Sequence, residues 1–412
     1  MSTFDCTPSP LKGKSLDGVK ILELAWVIAG PVTGKYMADN GATVVRIESL
    51  ARPDLLRLSE PYKDGRRGIN RSAMFAFYGA NKLSMALNIK HPRAMEVLHK
   101  LVKWADIVTE NFAPRKIEEF GLGYNELKKI KPDIIMLQLS IQGQTGPHSG
   151  HPGYGVAAAG LAGITGLCGW PDRTPSTPVA GYTDLILPRF AAMMMLAALD
   201  YRRRTGKGQC IDATQFEATQ QFLMPAILDY TVNGNDIKRQ GNASPYMAPH
   251  NAYRCLGEDR WCAISVFSDQ EWKALCHTMR QDDLVNRRGF STLLERKQNE
   301  AELDQIINNW TTTQTPEDVV AKLQQAGVPA GVVQNAQDLL NDPQLQRVLW
   351  RLEHNELGTV HHLGQAFVFS NPGGDPCTPA PCIGEHTEYV CRHIIGMSDE
   401  DFIDLFVSGV FE

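Results

Sequence analysis

The tightest constraint lies near the N-terminus. A short apolar run, Val19–Leu24 (VKILEL), is followed by AWVIAGPVTGKYMADNGA and then by the β-branched run Thr43–Ile47 (TVVRI). The pattern reads as strand, Gly-rich turn, helix from about Pro31 to Asp39 closed by Asn40-Gly41, and strand. Two strands with a helical crossover between them pair in parallel. Leu83–Leu87, Asp106–Thr109 and Ile134–Leu139 are three further strand candidates. His91–Trp104 is an amphipathic helix with Pro92 in its first turn. The first 140 residues are therefore predicted to form an open, doubly wound, Rossmann-like α/β domain.

Composition narrows the partners. The chain has 412 residues, 41 Lys and Arg against 46 Asp and Glu, and a net charge of −5. No basic excess exists to neutralise a phosphate backbone, so no nucleic-acid partner is expected. The longest apolar run, Phe190–Leu199, is bracketed by Arg189 and Asp200. It is too short to span a bilayer and reads as a buried helix, so no membrane is expected. The opening MSTFDCTPSPLKGK lacks the apolar core of a signal peptide, which predicts a cytoplasmic protein. Nine cysteines without a Cys-x-x-Cys pair fit a reducing compartment. Cys377, Cys382 and His386 are close together among prolines, but they read as loop or core groups, and no metal site is expected.

Further along, residues 154–167 suggest a tightly packed Gly/Ala-rich helix. Leu185–Arg204 is a longer helix with a basic end and Gly206 as its cap. Gln209–Ala213 is extended, and 214–233 is again helical. From about 234 the chain turns polar, like a linker or lid. Trp261–Val266 is a strand, and 268–327 is a helical stretch that includes the start signal Thr315-Pro316-Glu317-Asp318. This is a smaller second domain.

The standard cofactor fingerprints fail. Glu48 ends the second strand, where a dinucleotide-binding domain keeps its ribose acid. The turn Ala29–Gly34 nevertheless lacks the Gly-x-Gly-x-x-Gly spacing. Neither Gly34-Lys35-Tyr36 nor Gly206-Lys207-Gly208 continues as a phosphate-binding loop. Serine-hydrolase and metalloprotease motifs are absent. An α/β enzyme remains, and spacing alone does not name its reaction.

The order of segments carries more. Leu22–Pro31 (LELAWVIAGP), Val45-Arg46-Ile47-Glu48 with Asp54 and Arg57 beyond, and Asn81-Lys82 come first. Glu110–Pro114 (ENFAP) with Phe120-Gly121-Leu122, and Ser140–Pro147 (SIQGQTGP), come next. Thr183-Asp184 follows, then an apolar helix and Arg204–Gln209 (RTGKGQ). Ala326–Val333 and Gly384–Thr387 complete the set. In this order the chain resembles the class III CoA-transferases, the family of formyl-CoA:oxalate and carnitine CoA-transferases, with α-methylacyl-CoA racemases as relatives.

The resemblance implies an enzyme that moves CoA from an acyl-CoA donor to a free carboxylic acid. CoA and its thioesters would be substrates, with no tightly bound cofactor. Asp184 would attack the donor thioester, giving a mixed anhydride. The released thiolate would return to make an aspartyl-CoA thioester for the acceptor to attack. At the head of a long helix, Asp184 is expected to be favoured as the ion, and its rival role is a helix cap. Val27, Ile28 and Ala29 would line the pantetheine entry. Lys82, Asn111 and Phe112 would meet the nucleotide, and Arg46 or Arg57 would add charge. The acidic stretch Glu118-Glu119 and Ser49 replace arginines carried by some members, so the phosphate contacts would move to Arg115 and Lys116 or to Arg52.

Fold and assembly follow in the same way. A large CoA-binding domain would comprise 1–215 and 335–412, and a small α/β domain 235–325, joined by links at 216–234 and 326–334. Two subunits would interlock as a homodimer, with a heteromer of paralogous subunits as the alternative. A racemase would need a His where Tyr154 stands; His151, three residues earlier, reads as a loop residue. A non-catalytic CoA-binding subunit is the third reading. Ile28 in place of a Gln argues against oxalate. A lid bearing Tyr246, Met247 and Tyr253 would suit a larger apolar or aromatic acid.

Overall fold

A computed structural model describes residues 13–178, 181–367, 369–370 and 378–412. Two compact units emerge. The larger comprises residues 1–165, 177–236 and 348–412, and the smaller 166–176 and 237–347.

The larger unit is built on six strands: β1 (Lys20–Glu23), β2 (Thr43–Glu48), β3 (Leu83–Ala86), β4 (Ile107–Glu110), β5 (Ile135–Ser140) and β6 (Cys210–Thr214). Their order in the sheet is β3-β2-β1-β4-β5-β6, and every pairing is parallel. This is the doubly wound order, in which the crossovers reverse direction between β1 and β4. Neighbouring residues on each strand point to opposite faces, and both faces are covered. Leu22, Val45, Val108 and Met136 pack on the helix Ala94–Trp104 and on Phe402 and Leu405 of the helix Asp399–Val407. Ile21, Val44, Ile107 and Ile135 pack on Met37 of the helix Ala29–Asp39 and on Leu187, Ala191 and Met195 of the helix Tyr182–Thr205.

That last helix has 24 residues and, by length and composition, is long and apolar enough to cross a membrane. The ten-residue apolar run thus understated it. Here, however, one side of the helix is buried against the sheet. The helix expected at 214–233 is present as Gln215–Asn233, capped by the Thr214 hydroxyl on the Glu217 N–H and ended by Gly234 in the left-handed conformation.

The smaller unit holds a three-stranded antiparallel sheet of β7 (His250–Arg254), β8 (Trp261–Ser265) and β9 (Ala330–Val332), ordered β7-β8-β9. The predicted link at 326–334 therefore contains a strand of this sheet. The unit continues to Arg347, and within it Arg260 holds Asp338 by an ion pair. Tyr253, expected on a lid, is a core residue whose hydroxyl donates to Asp304 over 2.6 Å. Tyr246 is exposed. Cys377 lies outside the described residues, and Cys382 carries a free thiol.

Candidate active site at the sheet's switch point

Where crossovers diverge, the ends of β1 and β4 leave a crevice that helices cannot fill. A cleft of about 460 Å³ opens there, lined by the segments that follow β1, β4, β5 and β6. Val27, Ile28 and Ala29 come from the first, Asn111 and Phe112 from the second, Ile141 with the last β5 residue Ser140 from the third, and Gln215 from the last; Asp184 lies in the same wall.

The β1 turn is held open by neighbours. The Asn111 amide accepts from the Trp26 N–H at 2.8 Å and donates to the Trp26 carbonyl at 2.7 Å. Val27 sits at φ 64°, in the left-handed region, an uncommon and costly place for a β-branched residue. Its N–H donates to both oxygens of Asp54, at 3.2 and 3.1 Å, which offsets the strain. A Cβ on Gly30 would overlap that of Ala25, so the turn closes only with glycine there.

Lys82, Arg46 and Arg57 do not reach the cleft. Lys82, expected to meet the nucleotide, is instead buried, with an exposure of 2%. Its three N–H bonds go to the two oxygens of Glu23, at 2.9 and 2.8 Å, and to the Pro31 carbonyl at 2.7 Å. None is left for a phosphate. Arg57, with 0% exposure, pairs with Glu48 through Nε and a terminal nitrogen and stacks on Phe75 at 3.5 Å. Its remaining donors meet the Asn70 side chain and the Ile69 and Pro381 carbonyls. Arg46 is held by Glu23 and Asp54. These cations form a buried network under the β1 turn. Arg52, by contrast, is exposed and lies over the Trp26 ring at 5.7 Å, and Arg115 is exposed just after Pro114 of the cleft wall. Lys116 is exposed and paired with Glu119.

Asp184 occupies the first turn of the helix Tyr182–Thr205, whose cap position is Gly181. It therefore does not serve as the cap. Its Oδ1 accepts from Gln215 Nε2 at 2.6 Å. Oδ2 lies against Gly155, where a Cβ would overlap it and stand 2.7 Å from Cγ. Burial pushes the carboxyl up to about 6, and the Gln215 hydrogen bond pulls the other way. Desolvation thus opposes ionisation here, contrary to the dipole argument. The phenol of Tyr78 is raised by burial and by the Asp184 carboxylate. Gln215 was missed in the sequence; the only clue was its place directly after a strand end on the cleft side of the sheet. His151 and Tyr154 are both exposed and line the same cleft.

A desolvated, half-buried carboxylate in a partly apolar cleft can act as a nucleophile without a general base, since no proton has to be removed from it above its pKa. The model of CoA-transferase family III matches residues 16–387. The chain belongs to that family. It is a transferase, and enzymes of this family use CoA thioesters as substrates. It is 31% identical over 392 residues to succinyl-CoA–D-citramalate CoA-transferase of Chloroflexus aurantiacus, covering 94% of this chain and 96% of that one. It is 29% identical to the succinyl-CoA:glutarate CoA-transferase of Mus musculus, covering 97% and 91%. A crystal structure of a CAIB/BAIF family protein from Brucella suis superposes with a TM-score of 0.85 at 29% identity, covering 92% of this chain and 99% of that one.

Proposed function

We propose that this family III CoA-transferase moves CoA from succinyl-CoA to a free carboxylic acid through Asp184. Asp184 attacks the thioester carbonyl, the C–S bond breaks, and a mixed anhydride forms with release of the CoA thiolate. The thiolate attacks Asp184 Cγ, freeing succinate and leaving an aspartyl-CoA thioester. The acceptor carboxylate attacks that thioester, and the returning thiolate takes the new acyl group and restores Asp184. The observation that carries this reading is the placement of Asp184, desolvated and backed by Gln215, in the cleft at the switch point.

The relatives' names support succinyl-CoA as donor and a small dicarboxylic acid as acceptor. The core position of Tyr253 removes one ground for a bulky aromatic acceptor. Val27, Ile28, Ala29, Asn111 and Phe112 shape the pantetheine channel, and Arg52 and Arg115 supply charge for the CoA phosphates. Free thiols at every described cysteine suit a reducing cytoplasm.

Transfer from succinyl-CoA and acetyl-CoA to a panel of mono- and dicarboxylic acids, read by mass, tests the reading. Its rate should rise with pH through about 6 as Asp184 ionises. No acyl-CoA product from any acid would remove it. A racemase is the second reading, favoured by His151 in the same cleft wall as Asp184. It predicts exchange of the α-proton of a branched acyl-CoA in deuterated water without acceptor.

A further inference from the structure

A polar relay runs from Asp184 through Gln215 to Thr183. Thr183 is fully buried, and its hydroxyl lies 3.0 Å from Gln215 Oε1 and 3.1 Å from the Gly155 carbonyl. Gln215 is itself buried. An ionised carboxylate can only accept, so the amide must turn its NH2 toward Asp184 and its oxygen toward Thr183. The main chain reinforces this arrangement. Gln215 opens a helix whose Thr214 cap is made, and the Asp184 N–H donates to the Gly181 carbonyl at 2.8 Å.

We propose that Gln215, oriented by Thr183, holds Asp184 Oδ1 as the carbonyl oxygen of the acyl-enzyme and donates to the oxyanion formed when thiolate or acceptor attacks Cγ. The proposal rests on Asp184 being the nucleophile. Its chemistry follows from the states that Asp184 passes through. As carboxylate, anhydride and thioester, Asp184 keeps one oxygen able to accept from Gln215 Nε2. Oδ2 forms the bond to the donor's acyl carbon and leaves with succinate when the Cγ–Oδ2 bond breaks, and the acceptor carboxylate later brings the oxygen that replaces it. When a thiolate adds to Cγ, the C=O electron pair moves onto Oδ1, and the N–H already in place stabilises that charge. Collapse of the adduct re-forms the C=O and expels the carboxylate. No other co-reactant is needed. Gln215 lines the cleft but is itself buried, so its contact to Oδ1 persists while Oδ2 exchanges partners.

The test compares Gln215→Leu, Thr183→Val and Asp184→Asn in steady-state transfer from succinyl-CoA across pH, with thermal melting as the check of folding. Gln215→Leu should lower kcat on the order of 100-fold, with KM for succinyl-CoA changed less than about threefold. It should also move the acid limb of the profile to higher pH, because a hydrogen bond that favours the ion is gone. Thr183→Val, which keeps shape and frees the amide to turn, should shift both quantities the same way by less. It serves as the primary test if Gln215→Leu does not fold. Unchanged kcat and an unmoved acid limb in the folded variant, with Asp184→Asn inactive, would overturn the role of Gln215 alone. An Asp184→Asn enzyme as active as the unmodified one would remove the nucleophile and this proposal together.

Discussion

Lys82 has all three of its N–H bonds engaged inside the protein, which sets what its replacement does. Lys82→Met would leave Glu23 a buried carboxylate short of one partner, so it should destabilise the fold by about 3 kcal/mol. Unfolding in urea measures this. Any residual folded enzyme should keep its KM for acyl-CoA. Arg52→Ala and Arg115→Ala are predicted to do the reverse, raising KM for acyl-CoA several-fold with little change in melting temperature or in KM for the acid. Glu110 is 1% exposed and accepts from the Phe112 N–H at 2.7 Å and Gln138 Nε2 at 3.0 Å. Burial pushes it from 4.5 up to about 7. The folded protein then holds a proton that the unfolded chain has released. The stability from this group is full below the unfolded value and is lost as pH rises through the folded one. Glu110→Gln should therefore flatten the fall in melting temperature between about pH 5 and pH 7. None of this burial was legible in the sequence. Glu23 and Lys82 lie 59 positions apart and meet only because β1 and β3 flank β2.

At the scale of elements, sequence and structure agree where apolar runs are long enough to define a strand. The five strands expected in the first 140 residues are present, and their parallel pairing follows from the helices between them. Asp184 and the β1 and β4 turns were legible through their motifs, and the structure brings them to one cleft. Gln215 was not, because a lone Gln after a strand carries no motif and its role exists only once β6 lies beside β5. The strand at Ala330–Val332 was likewise hidden: three residues with a glycine in the middle carry too little β-branched character to stand out. The first turn of the helix Gly155–Leu161 tests how closely these elements must meet. Gly155→Ala places a methyl on Asp184 Oδ2 and 2.8 Å from the Gly181 Cα. Displacing the carboxylate should lower kcat on the order of 100-fold. CoA binding, measured by calorimetry, should be nearly unchanged.

For the whole molecule, the larger unit leaves an apolar face uncovered. The helices Tyr182–Thr205 and Gln215–Asn233 touch through Phe190 and Phe222. They expose Met193, Met194, Leu196, Ile227, Leu228 and Tyr230. Such exposed apolar surface on adjoining helices is what a second copy of the chain would cover in the interlocked dimer that the family resemblance implies. Sedimentation at falling concentration should show a dimer throughout, and a monomer appearing on dilution would count against the interlocked form. Asp184 and the cleft lie in the unit built from both ends of the chain. The central claim, however, is chemical, and one measurement reaches it directly. The protein is incubated with succinyl-CoA and no acceptor, quenched with hydroxylamine, digested, and its peptides weighed. The account predicts a hydroxamate on the peptide that contains Asp184, absent in Asp184→Asn. Active transfer with no adduct on that peptide would contradict it.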